Sequence, residues 1–385
     1  MSVFFPTRHW HRTKPYVIGS YQQSNNTYSC GNSKLLNGVL KGELGFQGFV
    51  QSDWLAERSG VEAVLSGLDM TMPGDGKAFS DGKSLLGPRL TQAVLNSTIP
   101  LSRLNDMVTR IVATYFQMGQ DKYFGIEDGK QRNPPNFSSW QTTKEGLIHF
   151  GSGSGPVGVV NRFVDVQEGS KHGKVARAIG AEGTVLVKNE DGILPLRRRD
   201  WKGKKVGIYG EDAGEGKGRN YCQDRGCNQG TLASGWGSGA VEFPYLVTPL
   251  EALSKAFSEG AILPNEKPEI TSILSNSDLK AISSSAAEQD LCLVFINSDA
   301  GEGYLADLGV RGDRNDLYAQ KDGDNLVSTV AGKCANTIVI IHSVGAVLVE
   351  KWVDLENIKA LVYAHLPGQE GGNALVGFTL IFFLG

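Results

Sequence analysis

Five apolar runs, rich in β-branched residues and bounded by glycine, proline or polar residues, occupy the second half of the chain. They are TVLVKN, KKVGIYG, DLCLVFIN, NTIVIIHS and IKALVYAHL. Helical segments such as KVARAIGAEG and DNLVSTVAGKC accompany them. Continuous apolar strands that alternate with helices predict a mainly parallel sheet covered on both faces. We therefore predict a separate α/β domain over residues 167–385.

The first half alternates strand-like and helical pieces. Phe49 and Val50 indicate the end of a buried strand, and a helix is predicted from the helical spacing of Val61, Val64, Leu65 and Leu68. A longer helix, with Ser102 as its N-cap, is predicted from a shared apolar face formed by Leu104, Met107, Val108, Ile111, Val112 and Tyr115. We predict a domain over residues 1–129 and a linker, rich in Pro, Gly and Ser, over residues 130–166.

The composition excludes some classes of partner. The 385 residues are 40% hydrophobic and carry a net charge of −3, which offers no basic surface for nucleic acid. No stretch reaches the ~18 apolar residues of a membrane span, and the N-terminus lacks the apolar core of a signal peptide. Three glycosylation sequons nevertheless favour export, starting at Asn25, Asn96 and Asn136. Cys222 and Cys227 are close enough to form a disulfide in an oxidising compartment.

Common catalytic motifs are missing from the sequence. It has no H-E-x-x-H, no paired C-x-x-C and no G-x-S-x-G, and its six histidines are scattered. His342, at a strand end, is interpreted as a structural hydrogen-bonding residue. A G-x-G-x-x-G match starting at Gly153 is interrupted by Pro156 and follows no strand, so a linker explains it better. The acidic loop YGEDAGEGKG would repel phosphate. We predict neither a metal nor a cofactor.

Two carboxylates follow predicted strands and have aromatic neighbours. Asp53 precedes Trp54, and Glu302 lies in a glycine-flanked loop two residues before Tyr304. Each alone is explained more simply, as a helix cap, a partner of Arg58 or a solvated loop acid. Together they provide what glycoside hydrolysis requires: one carboxylate attacks, the other donates a proton, and flat rings stack on sugar faces.

Six ordered blocks resemble fungal β-glucosidases of glycoside hydrolase family 3. They are SYQQSNNTYSCGNSKLLNGVLKGELGFQGFVQSDW, GLDMTMPGD, CQDRGCNQGTLASGWGSGAVEFPYLVTP, GEGY, GDR, and IIHSVGAVLVEKW with LPGQEGGNAL. The resemblance implies a (β/α)₈ barrel followed by an α/β sandwich, with the active site at their junction. It makes residues 1–129 the C-terminal part of the barrel and residues 167–385 a sandwich that is incomplete at its C-terminus.

The resemblance also implies residue roles. Asp53 would be the nucleophile and Glu302 the acid/base of a retaining β-glucosidase, which releases terminal glucose from cellobiose and other β-glucosides. The implied substrate-binding residues are Tyr21, Trp54 and Ser238, with Tyr304 on the aglycone side. A disulfide between Cys222 and Cys227 is implied, with the remaining cysteines free: Cys30, Cys292 and Cys334.

The chain departs from the family pattern near both ends. The family has most of its barrel before Tyr21, and the pattern is lost after Leu375. Gly19 stands where fungal members usually have a cysteine, so Cys30 loses its expected partner. We therefore expect a truncated form with low or no activity. Alternatives are a non-catalytic sugar-binding remnant, and a β-xylosidase or other exo-glycosidase of the same family.

The expected partner is a small oligosaccharide or another β-glucoside, with no nucleic acid and no membrane. The full-length family member implied by the resemblance is extracellular. The sequence leaves the oligomeric state and the natural substrate open.

Overall fold

The computed structural model describes residues 16–74, 84–119, 121, 126–127, 130–131, 145–147, 157–159, 168–197, 200–215, 229–235, 243, 245–259, 267–301, 306–307, 310–311 and 313–379. The chain divides into two compact units, Met1–Arg162 and Phe163–Gly385.

The first unit contains a parallel three-stranded sheet. Its strands and helices are β1 (Tyr16–Gly19), β2 (Gln23–Ser24), β3 (Thr27–Tyr28), α1 (Lys34–Glu43, wound as a π-helix), β4 (Phe49–Trp54), α2 (Val61–Leu65), β5 (Met70–Met72), α3 (Gly87–Leu95), α4 (Leu101–Gln117), β6 (Ile126–Glu127), β7 (Lys130–Gln131), β8 (Glu145–Leu147) and β9 (Val157–Val159). The sheet has the order β1-β4-β5, so β4 is central. A strand with Phe49 and Val50 buried is present as predicted, but these residues begin β4 rather than end it, since the strand continues to Trp54.

The predicted helices of this unit are present with different details. The helix α2 ends at Leu65, which is exposed, whereas Leu68 is buried beyond the helix. The helix α4 has Pro100 as its N-cap, so the prediction of Ser102 was wrong. Proline suits a helix start because the backbone N–H that it lacks is not needed there. The predicted linker also contains short antiparallel strands, since β8 pairs with β9.

A buried carboxylate holds this unit together. The side chain of Asp69 is fully buried and forms ion pairs with Lys41 at 2.8 Å and Arg103 at 2.7 Å. Its Oδ2 also accepts a hydrogen bond from the backbone N–H of Val50 in β4, at 2.8 Å. Burial lowers the pKa of Lys41, and the hydrogen bond to Asp69 opposes that change. One charge network therefore connects α1, α4 and the central strand.

The second unit is a mixed α/β structure. Its elements are α5 (Lys171–Glu182), β10 (Val185–Asn189), β11 (Lys205–Tyr209), α6 (Pro249–Glu259), β12 (Glu269–Ile273), α7 (Leu279–Ala286), β13 (Leu291–Ser298), β14 (Ala306–Asp307), β15 (Val310–Arg311), α8 (Gly323–Ala331), β16 (Thr337–Ser343), β17 (Ile358–Tyr363) and α9 (Gly371–Thr379). The six-stranded sheet has the order β10-β17-β16-β13-β11-β12. Only its β10 pairs antiparallel, and the other pairings are parallel.

Both faces of this sheet are covered, as predicted. Alternate residues of β13 enter different cores: Leu293 and Phe295 pack with residues of α6, and Val294 and Ile296 pack with residues of α7 and α8. Apolar residues at every position therefore bury both faces. None of the helices in the described parts of the chain is long and apolar enough to cross a membrane.

Gly210 lets the chain leave β11 close to β13. Its φ is 106°, and a Cβ at this position would overlap the carbonyl oxygen of Phe295. Only glycine adopts such a conformation without strain and also permits this approach. The residues that follow, including Asp212, are thereby brought over the carboxyl ends of the central strands.

The cysteine prediction was wrong for two residues. Cys292 in β13 and Cys334 before β16 form a disulfide, with their Cα atoms 6.3 Å apart. Adjacent pairing of these strands brings the two fully buried cysteines together, although 42 positions separate them. Cys30 is buried and free, as predicted. Cys222 and Cys227 lie outside the described residues.

Alkylation of the unfolded, unreduced protein should label Cys30 and should spare Cys292 and Cys334 until a reductant is added. In the folded protein Cys30 should also resist alkylation at neutral pH. Its pKa is raised to about 12 by burial and by the charges of Glu57 and Asp53, and only the thiolate reacts. Peptide mass mapping measures both results. Labelled Cys292 in the unreduced sample would contradict the disulfide.

Candidate active site

Asp53 lies at the carboxyl end of β4, the central strand of the first unit. Its Oδ1 accepts a hydrogen bond from the N–H of Trp54 at 2.6 Å, and its backbone oxygen accepts one from Ala56 at 3.1 Å. The side chain is half-buried. Carboxyl ends of parallel strands commonly carry the reactive groups of α/β proteins.

Neither simpler role explains Asp53. The N-cap of α2 is Gly60, not Asp53, and it has no side chain with which to cap the helix. Arg58 lies with its guanidinium carbon 6.0 Å from the ring centre of Tyr28. Within the described residues, no ion pair joins Arg58 to Asp53. The carboxylate is therefore not engaged in either structural role.

The turn after Asp53 has a strained backbone. Leu55 has a φ of 58°, in the left-handed region, and its N–H donates to the carbonyl oxygen of Met72 at 3.0 Å. Ser52, fully buried, accepts a hydrogen bond from the N–H of Met72 at 2.9 Å. A leucine in this conformation costs about 1–2 kcal/mol. Such strain is concentrated at functional turns.

Two aromatic side chains expected at the sugar site are open to solvent. Trp54 is 37% exposed and Tyr21 is 49% exposed. Both rings are thus exposed enough to present a face to a flat ligand, as an aromatic platform must.

Sequence reasoning did not single out Glu57, because nothing distinguishes it from any other acid in a short loop. It is 1% exposed, and its Oε1 accepts hydrogen bonds from Ser59 at 2.7 Å and Gly60 at 2.5 Å. Its Oε2 has no hydrogen-bond partner among the described residues. Glu57 thus fixes the loop between the Asp53 strand and α2.

The second unit has a buried polar cluster at the carboxyl edge of its sheet. Asp212 follows β11, Asn297 lies in β13, and His342 lies in β16. Asp212 accepts hydrogen bonds from His342 Nδ1 at 2.6 Å, Asn297 Nδ2 at 3.0 Å and the N–H of Leu232 at 2.8 Å. Because a carboxylate only accepts, Nδ1 of His342 carries a proton.

A glutamine clamps the chain just beyond this cluster. Gln320 donates from its Nε2 to the backbone oxygen of Asp299 at 2.8 Å, and its Oε1 accepts from the N–H of Asp299 at 2.9 Å. The backbone N–H of Gln320 donates to the oxygen of Asn297 at 2.9 Å. Ala300 then donates to Asp299 Oδ1 at 2.9 Å. The residues just before Gly301 are therefore held by several hydrogen bonds, most of them from Gln320.

Several residues predicted from the sequence lie outside the described residues. They are Glu302, Tyr304, Ser238, Cys222, Cys227 and Asn136. Asn25 and Asn96 are described and exposed, which suits glycan attachment. In the parts of the chain that the structure describes, no group of three His, Cys, Asp or Glu side chains could hold a metal ion.

Comparison with known protein families identifies the second unit. Residues 184–378, half of the chain, match the model of the glycosyl hydrolase family 3 C-terminal domain. The chain belongs to glycosyl hydrolase family 3. The resemblance drawn from the six sequence blocks is thereby confirmed.

Relatives named β-glucosidases share sequence with most of the chain, well beyond the length of this domain. The chain is 54% identical over 376 residues to a Neosartorya fischeri protein named "Probable beta-glucosidase E", covering 94% of the chain and 34% of the relative. It is 48% identical over 360 residues to beta-glucosidase 1 of Aspergillus aculeatus, covering 93% of the chain and 39% of that protein. The chain therefore spans little more than a third of the length of these relatives.

A solved β-glucosidase structure has a similar fold over the matched region. The beta-glucosidase of Chaetomium thermophilum is 47% identical, with a TM-score of 0.80, over 95% of this chain and 42% of that one. The fold is thus the α/β fold of family 3 β-glucosidase structures.

Proposed function

We propose that this chain carries the catalytic pair of a retaining β-glucosidase, with Asp53 as nucleophile and Glu302 as acid/base. The observation that carries the proposal is Asp53 itself. It is a half-buried carboxylate at the end of a central parallel strand, beside an exposed indole, and it caps no helix. The names of the relatives support the substrate class.

In this mechanism Asp53 attacks the anomeric carbon of the terminal glucose while Glu302 protonates the departing glycosidic oxygen. The resulting glucosyl ester is hydrolysed by water, and Glu302 then removes a proton from that water. Retaining chemistry needs the two carboxyl groups about 5–5.5 Å apart. Trp54 and Tyr21 would stack on the sugar, with Ser238 beside them and Tyr304 contacting the aglycone.

The finer architecture belongs to the same proposal. The parallel sheet of the first unit would be the C-terminal part of a (β/α)₈ barrel, and the second unit an α/β sandwich. Extracellular location is supported by the exposed sequon residues Asn25 and Asn96. The substrate would be cellobiose or another β-glucoside, and the relatives named β-glucosidases favour glucose over xylose as the released sugar.

The test of Glu302 uses a full-length chimera, in which this chain replaces the aligned part of the Neosartorya fischeri relative. Glu302→Ala should lower turnover about 10²–10⁴-fold for an aryl glucoside with a poor leaving group, the range that a positioned proton donor contributes. An activated aryl group needs little protonation, so its glucosylation step should be affected least. Steady-state kinetics on both substrates, with and without azide, measure the difference.

Azide should restore turnover of the activated substrate and give β-glucosyl azide, because it attacks the intact glucosyl ester from the free face. Glu288→Ala, an exposed carboxylate of the same unit, should behave as the parent protein. Equal losses on both substrates, without azide rescue, would exclude Glu302 as the acid/base.

The 385 residues expressed alone are expected to hydrolyse aryl β-glucosides poorly or not at all. In the described part of the first unit, β1 and β5 are outer strands that each pair on one side only. Unpaired strand edges promote aggregation and leave a barrel site unsupported. Size-exclusion chromatography and an activity assay, run beside the chimera, check this. Monodisperse protein with turnover equal to that of the chimera would refute it.

A further inference from the structure

The carboxylate of Asp212 connects three adjacent parallel strands at one edge. It follows β11, and it accepts hydrogen bonds from Asn297 in β13 and His342 in β16. It is 1% exposed. A buried carboxylate is tolerated only when donors satisfy it, and charge-assisted bonds of this kind are strong. The cluster therefore fixes how these three strand ends sit against one another.

His342 is too deeply buried to contact a substrate directly. Its side chain is fully buried, and its ring lies 6.4 Å from the ring of Phe295, centre to centre. Its Nε2 is buried and has no hydrogen-bond partner among the described residues. A histidine in this position acts on a reaction only through the groups that it holds.

Two residues that donate hydrogen bonds to Asp212, Asn297 and Leu232, each precede a segment of the proposed site in the sequence. Asn297 begins the stretch that Gln320 clamps, and the chain reaches Glu302 directly after Gly301. Leu232 donates to the other side of the same cluster and lies six positions before Ser238. The carboxylate of Asp212 thus binds Asn297 and Leu232, the described residues that precede these two segments.

We propose that Asp212 and His342 are positioning residues of the glycosidase reaction, which set the point where the chain leaves β13 toward Glu302. The inference rests on the proposed function. Asp212 accepts a hydrogen bond from Nδ1–H of His342 and another from the Asn297 amide, so the pair holds Asn297 in one orientation. Without the Asp212–His342 pair, the end of β13 is no longer held in one position, and Glu302 is placed less accurately for proton transfer.

The first test needs no activity. Hydrogen–deuterium exchange of the 385-residue chain should be at least ~10-fold faster at the amides of Asp299 and Ala300 in His342→Ala than in the parent, because local opening sets this rate. His342→Asn should restore slow exchange, since the asparagine amide nitrogen stands close to the position of Nδ1. Val330→Ala serves as the matched control, because it removes fully buried methyl groups from α8, away from the cluster.

A spectroscopic signature accompanies the exchange data. The Nδ1–H of His342 should give a far-downfield proton resonance, absent in His342→Ala and shifted upfield in Asp212→Asn. Unchanged exchange at Asp299 and Ala300 in His342→Ala, or equal acceleration in Val330→Ala, would overturn the proposal.

The second test uses the full-length chimera. His342→Ala and Asp212→Asn should lower kcat/KM about 10- to 100-fold on the poor leaving group, a loss typical of a misplaced catalytic group. The loss of kcat/KM on the activated substrate, which reports the glucosylation step alone, should be less than 3-fold, and any loss of its kcat should be restored by azide. His342→Asn should recover most of the loss.

The same kinetics separate this proposal from the function on which it rests. If Glu302→Ala lacks leaving-group dependence, the proposed function fails. If Glu302→Ala shows this dependence and His342→Ala loses kcat/KM equally on both substrates, only the positioning role fails.

Discussion

Asp53→Ala is expected to lower turnover of aryl β-glucosides by the full-length chimera by on the order of 10⁴-fold or more, as removal of a catalytic nucleophile does. No glucosyl ester can form without it, so the loss should be similar for good and poor leaving groups. The fold should persist, since among the described residues Asp53 makes one side-chain hydrogen bond, to Trp54, worth about 1 kcal/mol.

The stereochemistry of azide rescue makes this test specific. In Asp53→Ala, azide occupies the space of the lost carboxylate and displaces the leaving group once, which gives α-glucosyl azide. In Glu302→Ala the product is the β-anomer, because Asp53 has already inverted the centre once. Proton NMR of the products distinguishes the two. Glu43→Ala, an exposed carboxylate in the same unit, is the control. A β-azide from Asp53→Ala would contradict its role as nucleophile.

Asp69→Ala is expected to destabilise the first unit by about 3–5 kcal/mol, the typical cost of breaking a buried ion pair. The substitution leaves Lys41 and Arg103 without their shared counter-ion, at side-chain exposures of 8% and 13%. It also leaves the N–H of Val50 without its acceptor. Urea unfolding of the chain, followed separately for each unit by hydrogen exchange, measures the loss of free energy.

Asp106→Ala provides a matched control for Asp69→Ala. Asp106 pairs with the same Arg103, at 2.6 Å, but its side chain is 42% exposed. An exposed pair contributes about 1 kcal/mol or less. Comparable losses in the two variants would show that burial is not the cause.

The pH dependence of the Asp69→Ala defect has a definite sign. Burial already lowers the pKa of Lys41, and the variant removes the hydrogen bond that opposes this. The folded variant then binds fewer protons than the unfolded chain below the usual lysine pKa. Stability must rise with pH in that range. The difference from the parent should therefore shrink as the pH is raised toward 10.

The strands of the second unit could be predicted because their sequence signal is local. Every residue of β13 and β16 is buried, so uninterrupted apolar runs specify them without knowledge of their neighbours. The position of Asp53 at a strand end was predictable for the same reason, since Phe49 and Val50 mark the strand.

Pairings between distant residues carried no such signal. Asp212 and His342 are 130 positions apart, and nothing near either residue indicates that their side chains meet. The disulfide between Cys292 and Cys334 depends likewise on which strands become neighbours. The exposure of Leu65 was mispredicted because α2 is a single short helix, too short for a periodic pattern to orient.

The helix α4 reaches back to backbone that was made much earlier in the chain. Arg103 donates to the carbonyl oxygens of Val64 and Leu68, and Arg110 donates to those of Phe46 and Gly48. During synthesis the strand that carries Asp53 therefore emerges from the ribosome about sixty residues before the arginine that secures its start. This strand is therefore made before the helix that secures its start, and a premature stop before Arg110 would release a nascent chain that lacks the hydrogen bonds to Phe46 and Gly48.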